Sequence, residues 1–199
     1  MNNKKIIAIT GPSGSGKSTI ASLLCEKLGA VIPKHCTTRK PRKDDAKDFY
    51  RYLTHDEFNS YLNNNSFLIA SGDAETVAKE NGNFYGVLYE DYNNCLLKND
   101  LIIIFASYKD IDKLEKLKKS ETNIIIINLT FSNIEPGIKS RIDNNPMRNH
   151  RPNDIIKRIE SAQEDNLKYG KKVRKLAECN VYTDLLSIDE TFNVIVSCL

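Results

Sequence analysis

A chain of 199 residues is long enough for one α/β domain with a sizeable core and too short for two full ones. Hydrophobic residues at 40% and charged residues at 28% exclude a disordered or collagenous chain, and five cysteines without a C-x-x-C pair exclude a disulfide scaffold or a thiolate zinc site. The net charge of +3 hides two basic islands: Lys34–Arg51 carries seven basic and three acidic residues (+4), Lys139–Lys175 carries eleven and five (+6), and the remainder sums to −7. Such islands in an otherwise acidic chain point to anionic ligands at defined places. The longest apolar run, Leu101 to Ala106, is far short of the ~20 residues of a membrane span. Ile6 to Ile9 is too short for a signal segment, so a cytoplasmic chain with reduced thiols is expected.

In chain order, Lys4 to Thr10 reads as a strand buried on both faces, ending in glycines. Lys17 to Leu28 reads as a helix, with Ile20, Leu23, Leu24 and Leu28 at helical spacing and Gly29 as the stop. Val31 to Cys36 is a short strand candidate. The segment from Asp48 to Val87 differs in character. It opens with aromatic alternation at Phe49-Tyr50-Arg51-Tyr52, then has a capping box at Thr54 and Glu57 that starts a short helix, then turn-rich residues around Gly72 and Gly82. This predicts a small β-rich insertion carried on the main sheet. Isoleucine-rich runs at Leu101–Ala106 and Ile124–Leu129, separated by helical patterns at Glu90–Lys98 and Asp110–Lys118, complete a parallel sheet flanked by helices. Asn153 is the expected cap of a late helix, and Ser187 with Glu190 opens a C-terminal one.

Gly11-Pro12-Ser13-Gly14-Ser15-Gly16-Lys17-Ser18 fits G-x-x-x-x-G-K-[ST] at every position and lies between a predicted strand and a predicted helix. Glycines let successive backbone N–H groups turn toward phosphate oxygens, and the helix N-terminus adds favourable potential. In this pattern Lys17 reaches the β- and γ-phosphates of ATP or GTP, and the Ser18 hydroxyl is the candidate ligand of Mg²⁺. Gly11, Ser13, Gly14, Ser15, Gly16, Lys17, Ser18 and Thr19 are therefore the expected ATP-binding residues. Downstream, Thr37-Thr38-Arg39-Lys40-Pro41-Arg42 places two guanidinium groups on a segment stiffened by Pro41, suited to a phosphate dianion.

This ordered set resembles the guanylate kinase family. The P-loop is followed by T-T-R-x-P-R, by Lys47-Asp48 before an aromatic, by Gly82-Asn83-Phe84-Tyr85-Gly86, and by Ile156-Lys157-Arg158-Ile159-x-x-Ala162-Gln163. The resemblance implies a P-loop kinase fold with a β-rich acceptor-binding insertion and a helical lid. The corresponding expectation is core at 1–34, 88–138 and 168–199, insertion at 35–87 and lid region at 139–167. It implies transfer of the γ-phosphoryl of ATP, with Mg²⁺, to a nucleoside monophosphate, GMP or dGMP first. It further implies that Arg39, Arg42 and Tyr85 hold the acceptor's phosphate; His35 borders that site and Tyr50 adjoins the expected tyrosine position, so both join the acceptor-binding candidates. Lys17, Arg158 and a second lid arginine are the implied catalytic cations, with Arg141, Arg148 and Arg151 as candidates for the last. Monomer or homodimer is expected, with no membrane or nucleic-acid partner.

The base-reading positions depart from the family pattern. Ile69 stands where a glutamate is usual, Val87 where a hydroxyl residue is usual, and Phe105-Ala106-Ser107 where aspartates end the strand. The tyrosine expected after Lys47-Asp48 is Phe49, with Tyr50 adjacent, and the serine four residues before Arg39 is His35. The longer segment Ala70–Asn81 offers Asp73, Glu75 and Glu80 as replacements. These departures keep two alternatives open: a kinase of a phosphorylated sugar such as ribose 1,5-bisphosphate, and a non-catalytic guanylate-kinase-like interaction module. The intact Gly16-Lys17-Ser18 argues against the second.

Overall fold

The structure, a computed structural model, describes residues 4–41, 45, 49–71, 82–120, 123–143 and 152–199. Its main sheet is built from β1 (Lys5–Thr10), β6 (Leu101–Ala106), β7 (Ile124–Thr130) and β8 (Cys179–Tyr182), in the order β6-β1-β7-β8 with every pairing parallel. Its strands have apolar side chains on both faces because helices cover both. On one face Ile7, Ile9, Ile103, Ile127 and Leu129 pack under α1 (Lys17–Leu28) and the C-terminal helix α7 (Ile188–Ser197), through Ile20, Leu24, Phe192 and Ile195. On the other, Ile6, Ala8, Ile102, Ile104 and Ile126 meet Leu114 and Leu117 of α4 (Ile111–Ser120) and Tyr92 of α3 (Tyr89–Lys98). The register Ile7↔Ile103 and Ile9↔Ile127 keeps like faces together.

A second sheet, of order β3-β2-β5-β4, is formed by β2 (His35–Thr37), β3 (Tyr50–Tyr52), β4 (Phe67–Ala70) and β5 (Tyr85–Leu88). One face carries Cys36, Leu88 and Ala70 against Phe58 of α2 (His55–Asn63). The other carries Ile69 and Val87 into the same apolar cluster as Ile102 and Ile104. The β-rich insertion is thus fastened to the main sheet by its own second face.

Most predicted elements stand where the sequence places them. The capping boxes at Thr54/Glu57 and Ser187/Glu190 are both formed. Three differ. The run Val31–Cys36 yields one bridge, Val31 to Ile102, and a strand starting only at His35. The late helix, α6, spans Pro152–Leu176, so Asn153 lies inside it rather than capping it; proline is well suited to a first helical position because it has no N–H to leave unpaired. Strand β8 and helix α5 (Ile134–Asp143) were not expected. Helix α5 holds Pro136 and Gly137; Pro136 falls in the first turn, where proline is tolerated, and a Cβ on Gly137 would lie 2.4 Å from the Phe131 ring.

Candidate active site

Strand β1 ends at Thr10, and residues 11–16 turn back to start α1. Gly11, Gly14 and Gly16 have φ of 145°, 85° and 88°, conformations that side-chain-bearing residues rarely adopt. At Gly11 the requirement is doubled, since a Cβ there would lie 1.9 Å from the Leu129 carbonyl oxygen. The loop is consequently a concave turn at the carboxyl end of β1, with Gly16 as the cap of α1. Lys17 folds over it, its Nζ donating to the carbonyls of Gly11 (2.8 Å) and Pro12 (2.7 Å). Burial lowers its pKa to about 8. Two hydroxyls in this corner, Thr10 Oγ1 and Ser15 Oγ, are buried with no hydrogen-bond partner, and buried polar groups left this way call for a ligand or water. Ser13, Ser18 and Thr19 are exposed at the mouth.

Arg141, in the last turn of α5, reaches the same corner. Its Cβ is 3.9 Å from where a Cβ on Gly14 would be, and its NH2 donates to the Thr183 carbonyl at 2.6 Å. Arg158 stands half-buried on α6, beside Ile159 and Ala162, which pack against Ile138 of α5 and Phe131 just before that helix. Arg151, Arg148 and Arg42 lie outside the described residues, as do Asp73, Glu75 and Glu80.

Cross-strand register assembles the acceptor candidates. His35 pairs with Val87 on one side and Tyr50 on the other; Thr37 pairs with Tyr85 and Tyr52. Since side chains two apart share a face, His35, Thr37, Tyr50, Tyr52, Tyr85 and Val87 all belong to one face of the second sheet. Just beyond β2, Arg39 is buried with Tyr50 over its guanidinium at 4.5 Å and Tyr52 at 5.9 Å. Its NH1 donates to the Lys40 carbonyl (2.9 Å) and to Asp45 Oδ2 (2.8 Å), and its NH2 to Asp45 Oδ1. Hydrogen bonding to Asp45 raises the Arg39 pKa above its ordinary value. Between the two aromatic candidates after Lys47-Asp48, Tyr50 is therefore the one beside the guanidinium, while Phe49 stacks on His35 with rings parallel at 5.3 Å.

His35 is placed differently from the other acceptor candidates. Its Nδ1 is 2.8 Å from the Pro33 carbonyl, its Nε2 receives the Phe105 N–H at 3.4 Å, and it is 4% exposed. Burial lowers its pKa to about 4, so the ring is neutral. It joins the two sheets, and Phe105 is the penultimate residue of β6, whose last residue pairs with Thr10 before the P-loop. The face that carries the acceptor candidates thereby adjoins the end of the main sheet where the glycine-rich loop lies.

A family model described as guanylate kinase matches residues 3–175. The chain belongs to the guanylate kinase family. It is 30% identical to a guanylate kinase of Mycoplasmopsis synoviae over 179 residues, 85% of each protein. Over 168 residues it is 32% identical to a guanylate kinase of Rickettsia felis, covering 82% of this chain and 80% of that protein. The crystal structure of guanylate kinase from Anaplasma phagocytophilum superposes with a TM-score of 0.67 over 99% of this chain and 85% of that one, at 17% identity, and so shares the P-loop kinase fold. Two further residues of this chain, Asp45 and Tyr52, gather at the Arg39 guanidinium, and neither stands out in the sequence as a site residue. The available signal was the strand alternation of Tyr50 and Tyr52, which puts both rings on the Arg39 side.

Proposed function

We propose that the chain transfers the γ-phosphoryl group of ATP to the phosphate of a nucleoside monophosphate, GMP above others. Membership of the family and the pairing of an intact phosphate loop with a buried, aromatic-flanked arginine support this reading. In it, the backbone of residues 11–16 and the Lys17 ammonium bind the triphosphate, and Arg141 lies over the same loop. Arg39, Tyr50 and Tyr85, with Arg42, hold the acceptor's phosphate. An oxygen of that phosphate attacks the γ-phosphorus, the bond from γ-phosphorus to the β–γ bridging oxygen breaks, and ADP leaves. Cations around the three equatorial oxygens supply most of the acceleration, because this reaction depends on positioning and charge neutralisation. Arg158 and one of Arg141, Arg148 and Arg151 are the proposed lid cations, within a lid at 139–167.

The residues present fit Mg²⁺. Among the described residues no three His, Cys, Asp or Glu side chains gather into a metal cage, and this ion is usually held by substrate phosphates, waters and one or two protein oxygens. Ser18, exposed in the first turn of α1, is the oxygen proposed to hold it; the bound ion would neutralise charge on the β- and γ-phosphates.

The test is ADP release from Mg-ATP with GMP, dGMP, AMP, CMP, UMP and ribose 1,5-bisphosphate, using Lys17→Ala as the control for background hydrolysis. Turnover with GMP is expected. Activity confined to ribose 1,5-bisphosphate would replace the nucleotide with the sugar phosphate as acceptor. That second reading is favoured by one observation: Ile69 and Val87 are buried in the apolar cluster and offer a base no hydrogen bond.

A further inference from the structure

The Arg39 clamp already holds an anion of its own. Asp45 presents two carboxylate oxygens to the two terminal nitrogens of the guanidinium, the parallel arrangement that arginine forms with carboxylates and phosphates alike. A third donor, the Tyr52 hydroxyl, reaches Asp45 Oδ2 at 2.5 Å. Tyr50 covers the guanidinium face. With Asp45 in place the Arg39 side chain is only 5% exposed and Asp45 itself 13%. No incoming anion therefore reaches the fork until a neighbour leaves. Asp45 lies on the connection between β2 and β3 rather than in a strand, so its departure breaks no ladder hydrogen bond.

We propose that the Asp45 carboxylate is a built-in stand-in for the acceptor's phosphate, closing the Arg39 clamp until a phosphorylated acceptor displaces it and takes over both the guanidinium fork and the Tyr52 hydroxyl. Three features support an exchange over a simple brace. A carboxylate and a phosphate dianion on one edge of a guanidinium repel each other. The phosphate brings one more oxygen and more charge to the same donors, so it wins the exchange when present. An empty fork would leave a largely covered guanidinium with the Lys40 carbonyl and the Tyr50 ring but no counter-charge, and Asp45 supplies that charge in the free protein. The acceptor is bound more weakly in consequence, because part of its interaction is spent on replacing the carboxylate.

The inference rests on the reading of Arg39 as an acceptor-phosphate residue. Its test uses Asp45→Asn, which keeps the shape and removes the charge, and Tyr52→Phe, which removes the third donor. The KM for GMP should fall about tenfold in Asp45→Asn and rise several-fold in Tyr52→Phe, with the KM for ATP unmoved in both. Thermal melting with added sodium phosphate gives a readout independent of turnover. Asp45→Asn should melt below the unsubstituted protein in phosphate-free buffer and be raised more by phosphate. A KM for GMP that is unchanged or higher in Asp45→Asn, together with a phosphate response no larger than that of the unsubstituted protein, would show that Asp45 only orients Arg39 and would overturn the proposal. Should the unsubstituted protein turn over no nucleoside monophosphate, the functional reading fails, and the phosphate titration still decides whether Asp45 occupies an anion site.

Discussion

Lys17 folds back onto the loop it serves, its ammonium resting on two carbonyl oxygens. Burial favours its neutral form, with a pKa near 8. A triphosphate must favour the charged form, so its binding takes up a proton once the pH exceeds that value. The expected result is a kcat/KM for ATP that is level near neutrality and declines as pH rises through about 8, measured under saturating GMP; a level profile to pH 9.5 would refute the assignment. Gly11 gives a sharper prediction. Gly11→Ala adds a Cβ into the Leu129 carbonyl at a positive φ, so ATP binding should be lost by calorimetry and the melting temperature should drop.

Short-range chemistry sets the elements, and where that chemistry is conspicuous the sequence was legible. The isoleucine runs of β1, β6 and β7 have no polar face, and both capping boxes announce their helices. Thr54 accepts from the Glu57 N–H at 3.1 Å while Glu57 accepts from the Thr54 N–H at 2.7 Å, holding the Glu57 carboxyl below its ordinary pKa. Thr54→Ala should lower stability by about 1 kcal/mol in denaturant titration. What escaped was set by tertiary contact. Strand β8 is four residues with only Cys179 and Val181 turned inward, and it exists because β7 offers it an edge. Helix α5 forms through a proline and a glycine because Phe131 fills the space the glycine leaves. The turn at residues 11–16 was readable from its glycines, since a left-handed conformation is encoded locally. Asp45 was one acid among many charges; only the return of β3 alongside β2 brings it to Arg39.

Across the whole molecule, His35 is the titratable group at the seam of the two sheets. Its pKa is about 4 in the fold against 6.5 for an ordinary histidine. Between those values the unfolded chain binds a proton that the folded chain refuses, so stability must fall as pH falls from 6.5 toward 4. At 1.36 kcal/mol per pKa unit the loss is on the order of 3 kcal/mol. Urea titrations at pH 7 and pH 4.5 should show it, and His35→Phe should flatten the slope.

The same seam has a mechanical consequence. Each sheet is internally stitched by ladder hydrogen bonds, which have a fixed length and direction. Among the described residues the sheets meet through apolar surface at Ile69, Val87, Ile102 and Ile104, through the stacked pair His35 and Phe49 with Phe105 tilted against both, and through a 3.4 Å N–H···N contact. Contacts of this kind resist separation but oppose sliding only weakly. The joint between the sheets is therefore held mainly by packing, where each sheet is held bond by bond.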